Sequence, residues 1–137
     1  MASRYQIIKQ CLMDGFRRSN YDVNKFQPAF PSGGLFSNQL ELDLAYHSAR
    51  SIAGRFKISA QKGKKYTREE LENEIDIESA VSAYEGATGA IRIYTASGKN
   101  VKKYVQEARE ALENLRKHKY LALNIMEKNF KELIGEI

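Results

Sequence analysis

The sequence predicts a helix-rich α+β fold with a small antiparallel sheet and a long C-terminal helical hairpin. Three observations favour this fold. Long segments carry apolar residues at steps of three and four, a short segment of β-branched and aromatic residues lies between small-residue turns, and the apolar pattern breaks near residues 116–119. Because 137 residues suffice for one domain with a substantial core, we expect residues 1–137 to form a single domain.

The first helix is predicted to begin after Ser3, a good N-cap residue, and to run for about ten residues to Asp14-Gly15. The following segment, 16–38, contains both prolines and four aromatic residues. So many rings are unusual in a polar linker, and they predict a loop packed either onto the domain or onto a second subunit. The aromatic residues are Phe16, Tyr21, Phe26 and Phe30.

A second helix is predicted over 39–56, capped by Ser37 or Asn38. Its buried stripe is Leu42, Ala45, Ala49, Ile52 and Phe56. The alternating pattern of residues 55–60 then predicts a strand, and residues 61–65 form a basic turn. Thr67, with Glu70 three residues on, is a capping-box pattern that predicts a third helix continuing to about residue 84.

The central stretch, 84–99, is predicted to contain a helix end at Gly86 and Gly89 and a strand over 90–95. On that strand Ile91 and Ile93 would share one face, with Arg92 and Tyr94 on the other. Asn100 is then predicted to cap a long C-terminal helix, and the break near 116–119 separates it from a last helix over 120–134.

The composition limits the classes of partner. Lys and Arg number 22 against 17 Asp and Glu, a net charge of +5, which indicates a mild preference for anionic partners without the concentrated basic stripe of a DNA-binding protein. No apolar run approaches the roughly 20 residues of a membrane span, so we expect no membrane partner. The polar N-terminus and the single cysteine favour a cytoplasmic protein.

Catalytic and metal-binding patterns are weak in this sequence. His47 and His118 lie in no ligand motif, and Cys11 has no local signature of a nucleophile. We therefore expect no enzyme activity, no metal and no cofactor. Two glycine-containing segments, 86–89 and 96–99, lack the full spacing of a phosphate loop. The second is either an anion site at a helix N-terminus or, as we favour, a plain turn with an N-cap.

A row of polar residues runs along the C-terminal helix at steps of three and four: Lys102, Gln106, Arg109, Glu113 and Arg116. Arg109 and Arg116 are about 10 Å apart along the helix by its rise per residue. Two guanidinium groups at this spacing suit a ligand with separated phosphates or a base to stack on. A solvated helix face is the alternative interpretation.

The order of these parts resembles the first Thoeris anti-defence family of small phage proteins. The likeness rests on the capped first helix, on Phe-Pro-Ser-Gly-Gly-Leu in the aromatic loop, and on segments 39–46, 84–94 and 104–116. The resemblance implies a sponge: a phage protein that binds a cyclic ADP-ribose-derived immune signal (glycocyclic ADP-ribose) made by TIR-domain enzymes and holds it without cleavage. It also implies a homo-oligomer, with cyclic oligonucleotides bound at a separate site in some members.

With this ligand in view, we expect Arg109 and Arg116 to hold phosphates or stack on adenine. The tyrosines and Arg92 would line the same cleft, and Thr88 with the backbone near Gly89 would add hydrogen bonds. The predicted ligand-binding residues are Tyr84, Thr88, Gly89, Arg92, Tyr94, Arg109 and Arg116.

Two other classes of function remain open from the sequence. A nucleic-acid-binding or protein-binding antagonist of a host system would use the basic segments 62–65 and 116–119. A hydrolase acting on nucleotides would instead cleave its ligand. We expect nucleic acid to be the less favoured partner because the basic residues are dispersed.

Overall fold

The computed structural model describes residues 2–31 and 39–135. Over these residues the chain forms five α-helices: α1 (Arg4–Arg18), α2 (Gln39–Gln61), α3 (Arg68–Ala96), α4 (Lys102–Lys117) and α5 (Leu123–Gly135). The described residues contain no strand, so the predicted α+β fold with an antiparallel sheet is wrong and the fold is all-helical. The chain divides into two compact units, Met1–Ser79 and Ala80–Ile137, and the boundary falls within α3.

Helix α1 begins as the sequence predicts and ends later. The Ser3 side chain accepts the Gln6 N–H at 3.3 Å, while the Gln6 side chain accepts the Ser3 N–H at 3.0 Å, which completes a capping box. Gly15 does not end the helix, which continues to Arg18. Its backbone runs so close to the following loop that a Cβ there would collide with the Gln27 carbonyl. Gly15 therefore permits a close approach of two backbone segments.

The described part of the aromatic loop packs onto α1 and α2, in agreement with the predicted placement on the domain itself. Phe26 is fully buried in the core with α1 and α2, as is Phe16, which lies in α1 rather than in the loop. The Ala29 N–H donates to the Cys11 carbonyl at 3.0 Å and ties the loop to α1. The Tyr21 ring lies edge-on against Phe16, with centroids 4.3 Å apart. Residues 32–38, and with them the predicted cap at Ser37 or Asn38, lie outside the described residues.

Helix α2 extends past the predicted end at Phe56, so the strand predicted over 55–60 is wrong. Ile58, which the alternating pattern places on that strand, lies on α2 with half of its surface exposed. The helix stops where Gly63 adopts a φ of 101°, in the left-handed region that glycine allows. Thr67 caps α3 as predicted, because its hydroxyl accepts the Glu70 N–H at 3.1 Å and donates to the Glu70 carboxylate, also at 3.1 Å.

Helix α3 passes without interruption through the segment predicted to turn at Gly86 and Gly89 and to form a strand over 90–95. Its turn comes later, at Gly98, which has a φ of 71°. The physical reason is a helical stripe of buried side chains that spans both glycines, with a step of three or four between successive members. The stripe consists of Ala80, Ala83, Ala87 and Ile91.

The C-terminal hairpin is present much as predicted. The N-cap position of α4 is Val101 rather than the predicted Asn100, but the Asn100 side chain accepts the Lys102 N–H at 2.9 Å and so satisfies a free donor at the start of the helix. Helix α4 ends at Lys117 and α5 begins at Leu123, which confirms the break near 116–119. Between them Lys119 adopts a φ of 51°, an uncommon conformation for a residue with a side chain.

Candidate ligand-binding site

A groove of about 400 Å³ lies between α4 and α5; we call it the α4–α5 groove. The two helices pack through the buried stripe of α4, which leaves charged residues at the rim. The groove is lined by Arg109, Leu112, Glu113, Arg116, Glu127, Phe130, Lys131 and Ile134. Its floor is apolar, because Phe130 and Leu112 are both 5% exposed.

Part of the polar row predicted from the sequence lines the α4 side of this groove: Arg109, Glu113 and Arg116 do, and Lys102 and Gln106 do not. Ala108, Ala111 and Leu115 are fully buried on the inner face of α4. Arg109 and Arg116 are exposed and lie on one side of the helix because they are separated by nearly two full turns. The structure thus brings together two of the seven predicted site residues in one groove.

The two arginines differ in their electrostatic environment. Arg116 forms an ion pair with Glu127, with an Nη2–Oε1 distance of 3.4 Å. Within residues 2–31 and 39–135, Arg109 forms no ion pair. Lys131 adds a third cation from α5, and Glu113 a second carboxylate from α4. The rim therefore carries three cations and two acids, a small excess of positive charge.

Tyr84 and Thr88 are buried in α3, and their polar groups bond to the protein itself. The Tyr84 hydroxyl donates to the Met126 carbonyl at 3.0 Å, which links α3 to α5. The Thr88 hydroxyl donates to the Tyr84 carbonyl at 2.9 Å. Burial raises the pKa of the Tyr84 hydroxyl, and the Arg92 guanidinium opposes that shift. These contacts give both side chains a structural role within the second unit.

The remaining predicted residues also belong to α3 rather than to a strand and turn. Gly89 lies in mid-helix with open space where a Cβ would be. Arg92 is exposed. The Tyr94 ring packs at 5.4 Å from the Tyr104 ring, with the Lys99 ammonium 5.2 Å from its centroid. The lining of the α4–α5 groove includes none of the five predicted residues on α3.

Six of the eight groove residues are absent from the predicted site residues, and Phe130 and Lys131 illustrate the reason. The sequence places Phe130 in the core stripe of the last helix, which its burial confirms. Lys131 follows it and is exposed. Only the packing of α5 against α4 places Lys131 opposite the arginines, and no local sequence signal indicates this.

The segment 96–99 is a turn, in line with the interpretation favoured above. The Gly98 N–H donates to the Thr95 carbonyl at 3.0 Å, and the Lys99 N–H donates to the Tyr94 carbonyl at 2.9 Å. These two bonds close the end of α3 in the pattern of a Schellman motif. The Ser97 hydroxyl donates back to the Ile93 carbonyl at 3.2 Å.

Cys11 is unsuited to nucleophilic chemistry in the folded state. Its side chain is fully buried in the first unit, and burial, aided by the charge of Asp14, raises the pKa of the thiol to about 12. Over residues 2–31 and 39–135, no group of three or more His, Cys, Asp or Glu side chains is arranged to hold a metal ion.

Across the described part of the chain, none of the helices combines the length and the apolar character needed to cross a bilayer. Comparisons of the chain with protein-family models, with curated proteins and with solved structures found no match.

Proposed function

We propose that this protein sequesters a cyclic ADP-ribose-derived signal in the α4–α5 groove and holds it without cleavage. The observation that carries the proposal is that Arg109 and Arg116 share one groove with an apolar floor. A diphosphate presents two anionic groups to such cations, and adenine presents a flat apolar face to such a floor. The resemblance to the anti-defence family supplies the identity of the ligand.

Each cation of the groove has a distinct part in this proposal. Arg109, which has no ion pair to break among the described residues, offers its planar guanidinium to one phosphate as a bidentate donor. Arg116 exchanges part of its contact with Glu127 for the second phosphate. Lys131 contributes a point charge from the opposite helix.

The groove volume suits one compact nucleotide. Its 400 Å³ falls near the lower end of the roughly 300–1,000 Å³ of small-molecule pockets. The proposal includes a homo-oligomer in the host cytoplasm, in which a second copy covers the open side of the groove. Such enclosure would slow ligand release, as capture of a scarce signal requires.

Isothermal titration with cyclic ADP-ribose isomers tests the ligand and the site together. We expect Arg109→Ala to cost about 2–3 kcal/mol of binding free energy, or about 30–150-fold in Kd, because a charge-assisted hydrogen bond is lost. The matched control is Lys117→Ala, which removes an exposed cation of the same helix that does not line the groove. Unchanged affinity in Arg109→Ala, or equal losses in both variants, would contradict the proposal.

Recovery of the ligand distinguishes a sponge from a hydrolase. The complex is denatured by heat and the released molecule is identified by mass spectrometry. We expect the intact cyclic molecule, because a sponge breaks no bond. A linear or cleaved product would instead assign the protein to the hydrolases.

A salt titration separates the proposal from a nucleic-acid-binding or protein-binding antagonist. A protein that binds a phosphate backbone loses affinity steeply as salt displaces its counterion contacts. Both basic segments of this chain are partly neutralised: Lys64 pairs with Glu74 at 2.8 Å, and Arg116 pairs with Glu127. We therefore expect weak salt dependence and little binding of oligonucleotide, and the opposite result would favour the antagonist.

A further inference from the structure

The first unit contains a second concave site, which the proposed function does not use. A cleft of about 330 Å³ lies between α2, the turn that follows it and the first half of α3; we call it the α2–α3 cleft. Its lining combines charged, aromatic and aliphatic side chains. These residues are Ile52, Arg55, Phe56, Ser59, Lys64, Tyr66, Glu74, Ile77 and Glu78.

Two ion pairs span the cleft. Arg55 on α2 pairs with Glu78 on α3, with an Nη2–Oε2 distance of 2.9 Å. Lys64, from the turn, pairs with Glu74 at 2.8 Å. The two glutamates are one helical turn apart, so the pairs lie side by side about 6 Å apart along α3. The four charges sum to zero.

The floor between the pairs is apolar and aromatic. Ile52 and Phe56 are almost fully buried, and the Tyr66 ring meets Phe56 edge-on with centroids 5.8 Å apart. The Lys64 ammonium lies 4.7 Å from the centroid of the Tyr66 ring. This position, between a carboxylate and a ring face, is favourable for a cation. The hydrogen bond from Lys64 to Glu74 correspondingly raises the pKa of Lys64.

We propose that the α2–α3 cleft binds a small apolar zwitterion, an amino acid or a dipeptide, across its two ion pairs. The ligand's ammonium group binds a glutamate, its carboxylate binds Arg55 or Lys64, and its side chain covers the apolar floor. A ligand with one charge of each sign can pair with both members of an ion pair that it opens, whereas an ion of a single sign can pair with only one of them.

Opening either ion pair of the cleft costs little free energy. Both ion pairs are solvent-accessible, with side-chain exposures of 60% and 33% in one and 47% and 33% in the other. Exposed pairs of this kind contribute little to stability, so a ligand can open them without disrupting the fold. The buried floor residues remain in place and provide the apolar contact.

An NMR titration of the ¹⁵N-labelled full chain tests the proposal with a series of ligand charges. The probes are L-leucine and Leu-Leu as zwitterions, N-acetyl-L-leucine as an anion, and L-leucine amide as a cation. We expect saturable shifts in the amides of residues 52–59 and 74–78 with at least one zwitterion. Binding of both singly charged analogues is expected to be about tenfold weaker or more. The zwitterion that binds with the higher affinity shows whether the cleft prefers a free amino acid or a dipeptide.

Protein variants give a second readout. Arg55→Gln and Glu78→Gln each remove one charge of the same pair and should weaken zwitterion binding about tenfold. Arg50→Gln, which removes an exposed cation of α2 outside the cleft, should not. The proposal is overturned if no saturable shifts occur, or if a singly charged analogue binds as well as the zwitterions. The charge series on the unchanged protein decides between these outcomes even if a variant folds poorly.

Discussion

In the first unit Arg55 and Lys64 are each held by a carboxylate of α3, whereas in the second unit Arg109 lies at the rim of a groove with no ion pair among the described residues. Arg55 and Lys64 thus connect α2 and the turn after it to α3, and a ligand must open an ion pair to bind either cation. The guanidinium of Arg109 makes no such connection, which leaves it available to a ligand. The difference teaches that the partners of a cation decide whether a ligand must first exchange with a carboxylate or can bind the cation directly.

Two glycines, Gly15 in the first unit and Gly89 in the second, also differ in the space around them. Gly15 in α1 faces the backbone of Gln27 so closely that no side chain fits. At Gly89 in α3, a Cβ would meet no neighbouring atom within 4 Å. One glycine is therefore required by packing and the other is not. Substitution by alanine should therefore have opposite effects at the two positions.

The largest expected effect is at Gly15. Gly15→Ala should lower the free energy of unfolding by about 3 kcal/mol, because the loop at 27–28 must move away from α1 to admit a methyl group. Urea denaturation followed by circular dichroism measures it. Gly54→Ala is the control in the same unit, since it meets no atom within 4 Å. Equal stability of the Gly15 and Gly54 variants would contradict the close approach.

A smaller effect of opposite sign is expected at Gly89. Gly89→Ala should raise the free energy of unfolding by about 1 kcal/mol, because alanine favours a helix interior over glycine by that amount. The same denaturation experiment measures the change. A loss of stability would indicate that residue 89 needs the conformational freedom of a turn, as the sequence pattern alone predicts, and would contradict the continuous α3.

Tyr84 tests whether a buried residue of the second unit is structural or binds ligand. Tyr84→Phe should lower the free energy of unfolding by roughly 1 kcal/mol, because the hydrogen bond from the Tyr84 hydroxyl to the Met126 carbonyl is lost. Ligand affinity at the α4–α5 groove should stay unchanged. Tyr94→Phe is the comparison, since its ring packs on Tyr104 and the substitution keeps that contact. A loss of ligand affinity in Tyr84→Phe would instead indicate that the Tyr84 hydroxyl takes part in ligand binding.

Local signals in the sequence predicted the starts of helices well. Ser3 and Thr67 cap α1 and α3 by accepting backbone N–H groups three residues away, and such short-range chemistry can be read without the fold. The break before α5 was also predictable, because extending the apolar pattern would have buried His118 or Lys119. The position of Arg109 beside Arg116 followed from helical spacing alone.

The two strands were mispredicted because short apolar runs are ambiguous. Ile91 and Ile93 alternate like strand residues, but Ile91 is fully buried and Ile93 is 65% exposed, so they do not share a face. The stripe from Ala80 to Ile91 carries the helical period across two glycines, and the glycines obscure that period in the sequence. A glycine in a helix lowers stability without ending it when tertiary packing continues on both sides.

The rest of the candidate site depends on contacts distant in sequence. Tyr84 has the aromatic ring and hydroxyl of a ligand-binding residue, but its hydroxyl meets a carbonyl 42 residues away. Lys131 joins the arginines only through the pairing of two helices. Pairings of this kind are decided by how whole surfaces fit together, and residue spacing within one helix does not reveal them.

The chain has a single thiol, Cys11, which is buried among the core residues of the first unit. Its reactivity therefore reports local opening of that unit. Cys11 cannot meet an alkylating reagent until its surroundings open, and its high pKa keeps it unreactive until then. The labelling rate of the natural sequence therefore measures how often one half of the molecule opens. The other half has no cysteine and contributes no labelling signal. The opening rate of the first half can therefore be measured separately, without introducing or removing a cysteine.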